Sequence, residues 1–346
     1  MSKHELNFVG VGDLHLDSKL GKYIPDINRV IMDEVRSGPV RYAVRHGIPL
    51  VVFYGDICDV PSMSTNATIE LCRLFYDYPS LRFVLILGNH DVEYEGKHSL
   101  ILLKELVDKK ALPNVKVIEE PTVLFGDSGT PLRLLPWPHF SVQKDALNVI
   151  HLEVNGSQWD HGKSVESERN TSAYCVSGHL HTKQVVGPKK NIHYSGTLYQ
   201  TSFGEKPDKY FHSVSWVPGE KPRVRLVPHK PKYQLHNLII SSKEDLSKIS
   251  DASTDLYKVF VKSGSDLDSS TLGRYPNVVK VNSFKSREEL KNLLAEDLIL
   301  QDTSEEVNMM SILDALKSYM VRAGMQTEDR ERTLKVLKSI TGNKIK

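Results

Sequence analysis

No stretch of the 346-residue chain approaches the ~20 consecutive apolar residues that a membrane span needs. The opening "MSKHELNF" lacks the apolar core of a secretory signal. Cysteine is scarce: Cys58, Cys72 and Cys175 have neither disulfide-framework nor zinc-ligand spacing. These absences point to a reducing, cytoplasmic home without a membrane role. No internal repeat and no long low-complexity tract appears. Charge of neither sign dominates, since the net charge is +2, so composition alone names no partner. What remains is an ordinary globular balance, 40% apolar and 25% charged, at a length natural for two domains.

Short β-branched or aromatic runs bounded by Gly, Asp or Pro predict strands at 6–11, 50–54, 83–87, 115–118, 132–135, 147–150 and 174–176. Helices are expected at 27–45, with Gly47 as the stop, and at 65–78, with Ile69, Cys72, Phe75 and Tyr76 on the apolar side. Strand–helix alternation implies an α/β layered core. "YFHSVSWVPGEKPRVRLVPH" reads as a hairpin turning near Pro218-Gly219. Residues 157–172 are polar enough for a mobile loop. After about residue 230 the composition shifts to a small unit with strands near 238–240, 257–261 and 278–281 and a helix near 243–249. The tail is helical: Ser286 and Glu289 form a capping-box pattern. Met309, Ile312, Leu313, Leu316 and Met320 form one apolar stripe, and Leu334, Leu337 and Ile340 a second.

The strand ends carry the chemistry. The first ends in Asp13-Leu14-His15 and the second in Gly55-Asp56. The third, "LILGNHD", ends in Asn89-His90-Asp91. Later strands deliver His151 and the pair His179, His181. Each piece alone is a turn or a structural histidine. As an ordered set, every member at the end of its own strand, they predict one site, because α/β sheets place sites at carboxyl strand ends.

This set resembles the calcineurin-like metallophosphoesterases. Within them it is most similar to the SbcD-type nuclease subunit of the SbcCD DNA repair and recombination complex, including large-bacteriophage versions. "HLEVNG", "LPW" and "YSGTLYQTSFGE" fit that subfamily, and the likeness covers about residues 5–215. It implies a layered β-sandwich core flanked by helices, with a small α+β capping domain and C-terminal helices. The corresponding boundaries are 1–230 for the nuclease, 231–285 for the DNA-positioning cap and 286–346 for a helical tail.

The resemblance assigns one metal to Asp13, His15 and His181, a second to Asn89, His151 and His179, and Asp56 to both. Two divalent ions bring four positive charges and the two carboxylates return two, so the site stays positive and suits a phosphodiester. Imidazole and carboxylate ligands suit manganese, iron or zinc; relatives use manganese. A metal-activated hydroxide is expected to attack, with His90 assisting the leaving group and Asp91 orienting the His90 imidazole. Asp17 and Asp59 fit either outer partners of the site or turn residues. The implied partners are DNA, an SbcC-type coiled-coil ATPase, and a second copy of the chain within a heterotetramer.

From Lys183 to Lys232, ten Lys/Arg face three acids, interleaved with aromatics. Lys189, Lys190, Arg223 and Arg225 are the DNA-contact candidates there; a solvated hairpin face explains the segment equally well. A small-molecule phosphodiesterase or protein phosphatase on the same metal core, and an inert binding scaffold, are the competing functions.

Overall fold

The computed structural model describes residues 5–93, 97–126, 129–160, 162–250, 253–265, 267 and 269–294. They belong to one compact unit, Met1–Ala295. The two apolar tail stripes lie outside the described residues. No described helix is long and apolar enough to cross a membrane.

Hydrophobic alternation builds two six-stranded sheets. The first contains β1 (Leu6–Val11), β2 (Leu50–Phe53), β3 (Arg82–Ile86) and β4 (Val115–Ile118) in parallel. The second contains β5 (Thr122–Phe125), β6 (Pro131–Leu135), β7 (Leu147–Ile150), β8 (Cys175–Ser177), β9 (Gln184–Val186) and β10 (Ile192–Tyr194), ordered β5-β6-β7-β8-β10-β9. The hairpin β11 (Lys209–Trp216) and β12 (Arg223–His229) returns to the first sheet, antiparallel to β1. Phe8, Val52, Tyr54, Val84 and Ile86 pack between the sheets against Leu134, Val149 and Val176. Their alternating neighbours Val9, Val51, Phe53, Phe83 and Leu85 point the other way, toward the helices. A strand buried on both faces is the cause of the near-continuous apolar runs.

Three helical segments cover that outer face: α1 (Ile27–Val35), α2 (Arg41–His46) and α3 (Thr65–Asp77). The single helix expected over 27–45 is broken by a π-helical turn, Arg36–Val40. Pro39 sits inside that turn, and its ring removes the N–H that a regular helix would use. Gly47 closes α2 at φ 62°, as expected of a left-handed C-terminal cap. On α3 the buried face is Ala67, Leu71, Leu74 and Phe75, whereas Ile69 and Tyr76 are exposed. Of the apolar side read from the sequence, Phe75 and Cys72 pack inward and Ile69 and Tyr76 do not. A fourth helix, α4 (Ile101–Asp108), precedes β4.

A separate three-stranded parallel sheet, β13 (Leu235–Ile240), β14 (Leu256–Lys262) and β15 (Val278–Phe284), follows. It has its own small core of Ile240, Tyr257, Val259, Val261 and Leu272. Ser286 accepts a hydrogen bond from the Glu289 amide, so the capping pattern forms at the start of a helix over 287–294.

Candidate metal centre

The parallel strands β1, β2 and β3 of one sheet and β7 and β8 of the other end on the same rim, and the backbone turns sharply there. His15, Asp56 and His179 adopt left-handed conformations with φ of 49°, 48° and 81°. Such strain in non-glycine residues collects at functional sites. Glycine makes the convergence possible. A Cβ on Gly178 would lie 2.3 Å from Asp13 Oδ1, and one on Gly55 would lie 2.4 Å from His151 Nδ1.

Asp13, His15 and His181 bring donor atoms together: His15 Nε2 is 3.1 Å from His181 Nε2, which is 3.5 Å from Asp13 Oδ2. On the other side, Asn89 Oδ1 lies 3.0 Å from His151 Nε2 and 2.9 Å from His179 Nδ1. Asp56 Oδ2 stands between the groups, 3.1 Å from His151 Nε2 and 3.9 Å from His15 Nε2. All seven sequence-singled donors are thus gathered on one rim.

The second ring nitrogen of each histidine is already engaged. His15 Nδ1 is 3.1 Å from Asp59 Oδ1, and His181 Nδ1 is 3.0 Å from Glu205 Oε1. His179 Nε2 is 3.2 Å from Glu153 Oε2, and His151 Nδ1 is 2.6 Å from the Tyr54 carbonyl. With those outer nitrogens donating, the inner nitrogens of neutral rings are bare lone pairs. They face one another and the acceptor oxygens of Asp13, Asp56 and Asn89. Such a gathering of acceptors needs cations. Two ligand atoms about 2.1 Å from one ion sit about 3.0–3.4 Å apart, which the closest of these spacings match. The donor set fits two divalent ions.

Electrostatics agree. Burial would lower the His151 pKa, but Asp56 and Asp13 outweigh it and raise it to about 9. Burial is likewise overcome at His181, where Glu205 and Asp160 raise the pKa to about 10. Burial would raise Asp56, yet the surrounding histidines hold it well below the usual carboxylate range.

His90 stands at the mouth, its side chain a quarter exposed. Its amide donates to Asp56 Oδ1 at 2.9 Å, and its Nδ1 is 3.2 Å from the Asp59 carbonyl. Asp91 does not orient that ring. Its fully buried carboxylate accepts from the amides of Gly88, Ile57 and Cys58 and from the Ser99 hydroxyl, tying the second and third strand-end loops together. Four donors converging on one carboxylate leave the imidazole to Asp59. Asp17 is also structural, accepting from the Ser64 amide and hydroxyl and from Asn28.

Sequence reasoning left Asp59 open and missed Glu153, Asp160 and Glu205. The last lies in the quoted "YSGTLYQTSFGE", where only its place in the motif could have flagged it. The expected loop at 157–172 contains a small bridge, Gln158 to Ser164, that sets Trp159 against His179 and Asp160 near His181.

The DNA-contact candidates fall in two places. Lys189 and Lys190 are exposed in the β9–β10 turn, and Arg223 and Arg225 are exposed on the edge strand β12. Lys209, counted among the basic residues, is buried and paired with Glu205 at 2.5 Å, so it cannot meet a phosphate.

Residues 6–183 match the family model described as Calcineurin-like phosphoesterase. The chain is 29% identical over 220 residues to Exonuclease subunit 1 of Enterobacteria phage T4, covering 59% of this chain and 62% of that protein. It is 26% identical over 144 residues to Putative phosphoesterase 244L of Invertebrate iridescent virus 6, covering 36% and 48% respectively. The chain therefore spans less than two thirds of the length of either relative.

Proposed function

The chain belongs to the calcineurin-like phosphoesterase family, and from that premise we propose that it is a metal-dependent DNA nuclease subunit. In this reading it degrades double-stranded ends as an exonuclease and cuts single strands as an endonuclease. It acts within a recombination and repair complex with an SbcC-type coiled-coil ATPase. The observation that carries the reading is the convergence of seven oxygen and imidazole donors beside His90. The likeness to an exonuclease subunit supports DNA over a small ester as substrate.

Asp13, His15 and His181 would hold one ion and Asn89, His151 and His179 the other, with Asp56 serving both; manganese suits this donor set. Bound there, two divalent cations supply Lewis acidity toward a phosphodiester and lower the pKa of water. The chain's own part is positional. Asp59, Glu153, Glu205 and the Tyr54 carbonyl fix ring orientation, so that each inner nitrogen is left free to ligate a bound cation. A protonated His90 gives Nδ1–H to the Asp59 carbonyl and keeps Nε2–H for the departing oxygen. In the same reading, residues 231–285 position DNA and residues 286–346 grip the ATPase. Two copies of the chain sit in a heterotetramer.

The test is cleavage of single- and double-stranded DNA in manganese and in magnesium, with and without a co-purified ATPase. A generic phosphodiester is assayed beside them. Hydrolysis of the generic ester with intact DNA would convert the reading to a small-molecule phosphodiesterase. Failure of both, with no metal on elemental analysis, would leave a binding scaffold.

A further inference from the structure

Residues 194–205, "YSGTLYQTSFGE", supply none of the seven donors, yet they touch three separate parts of the molecule. Glu205 Oε1 lies 3.0 Å from His181 Nδ1. The Tyr199 hydroxyl donates to the Leu14 carbonyl at 2.8 Å, one residue before His15. The Phe203 carbonyl accepts from Asn237 Nδ2, on β13, at 2.9 Å. Gln200 joins β13 to Glu205 directly. Its Oε1 accepts the Leu235 amide at 3.0 Å, and its Nε2 donates to the Leu235 carbonyl at 3.0 Å and to the Glu205 carbonyl at 2.9 Å.

Leu235 opens β13, an edge strand in the order β13-β14-β15. An edge leaves backbone N–H and C=O groups without a strand partner. The Gln200 amide takes that place at Leu235, meeting both groups as a neighbouring strand would. Its orientation is fixed by its surroundings, because the flipped amide would set oxygen against two carbonyls and nitrogen against an N–H. Gln200 is buried, so breaking one of these bonds leaves a desolvated group unpaired. Packing runs the same way: Leu235 and Leu256 of the small sheet share one core with Leu14, Leu198 and Tyr199.

We propose that Gln200 is a positioning residue that keys the three-stranded sheet to the metal-bearing loops. A shift of β13 moves the Glu205 backbone through Gln200, and Glu205 carries the shift to the His181 ring. The coupling is reciprocal, so fixing His181 also steadies β13. Seating of the small sheet is thereby a condition for holding His181 in place. This rests on the metal-dependent reading above.

Hydrogen exchange of the full chain, without and with saturating Mn²⁺, tests it. Mn²⁺ should slow exchange across residues 235–240 by at least about fivefold, the low end of typical coupling between sites. Gln200→Met removes all three bonds. Gln200→Glu keeps the volume and the acceptor for the Leu235 amide but loses the donors to Leu235 and Glu205. Both should lose the Mn²⁺ response. Asn237→Leu frees β13 from Phe203 yet spares the Gln200–Glu205 bond, so it should keep the response. On DNA, Gln200→Glu should lower kcat about tenfold with KM held. Exchange in the wild-type strand that ignores bound Mn²⁺ would overturn the coupling alone. So would loss of the response in Asn237→Leu, or a Gln200→Glu variant that raises KM with kcat held, since Gln200 would then only anchor the sheet. Absence of any Mn²⁺ binding to the wild-type chain would overturn the metal-dependent reading and this inference with it.

Discussion

Gly178 and Asp13 approach so closely that a Cβ on the glycine would lie 2.3 Å from the carboxylate oxygen Oδ1. The same carboxylate accepts the His179 amide at 2.9 Å, so this contact couples the end of β1 to the end of β8. Gly178→Ala must displace one of them, and Tyr54 O at 2.7 Å blocks retreat in the other direction. The expected result is a folded protein with metal affinity reduced at least about tenfold. Elemental analysis beside a thermal melt decides it; full metal content would show that the loop relaxes freely.

His90 is the test of proton delivery. His90→Asn removes the ring while leaving every donor atom of the metal centre untouched. Cleavage should fall by ~10²–10⁴ with metal content and DNA affinity unchanged. Loss of a bound ion in this variant would make His90 a ligand together with its neighbours His15 and Asp56.

The site was legible because its residue types sit at strand ends, and a strand end is a local signal. Asp13, His15, Asp56, Asn89, His151, His179 and His181 each follow a short apolar run. What supports them was not legible. Glu205 and Asp59 reach their histidines across 24 and 44 residues, and nothing local marks that pairing. Asp91 failed for the same reason: adjacency to His90 suggested contact, whereas successive residues leaving a strand face apart. The seven strands read along the two sheets all appear; β5, β9 and β10 went unread although they are no shorter than β4 and β8, and β5 and β9 are half-buried or exposed and so lack a buried apolar run.

Metal uptake should release protons. In the metal-free chain the pKa of His151 is raised to about 9 and that of His181 to about 10, so both rings carry protons at neutral pH. An incoming cation must displace them, and apparent affinity therefore rises with pH until about 9–10. The same raised values stabilise the metal-free fold below the ordinary histidine pKa of ~6.5, and that contribution is lost as pH climbs through 9 and 10. Calorimetry in buffers of different ionisation enthalpy counts the protons. A proton count of zero at pH 7 would refute the charged state of these rings.

A second histidine pair acts in the opposite sense. Burial lowers His212 to about 3, and burial with Lys221 lowers His193 to about 4. His212 Nδ1 lies 3.3 Å from the Tyr54 hydroxyl in the sandwich. The unfolded chain binds these protons from pH ~6.5 downward and the folded chain does not, so stability falls through the window from 6.5 to 4. At pH 4 each ring costs up to ~3 kcal/mol by this linkage. Urea unfolding at pH 7.5, 6 and 5 should show a drop that His212→Gln reduces by about one proton. An unchanged slope in that variant would mean another group drives acid unfolding.

The basic segment divides into residues that can meet a phosphate and one that cannot. Lys189, Lys190, Arg223 and Arg225 are exposed, so replacing any with Gln should leave the fold intact. If all four touch the duplex backbone, the log–log dependence of DNA affinity on salt flattens by roughly 0.9 for each lost contact. Because two lie on the β9–β10 turn and two on β12, the pairs should be removed separately. A slope that responds to only one pair locates the DNA on that sheet edge. Lys209 is the control. Its ammonium is buried on Glu205, so Lys209→Met takes a buried cation away from a carboxylate that also orients His181. The expected loss is about 3–5 kcal/mol of stability, with no change in salt slope for whatever protein remains folded. A salt slope untouched by both exposed pairs would mark the segment as a solvated hairpin face.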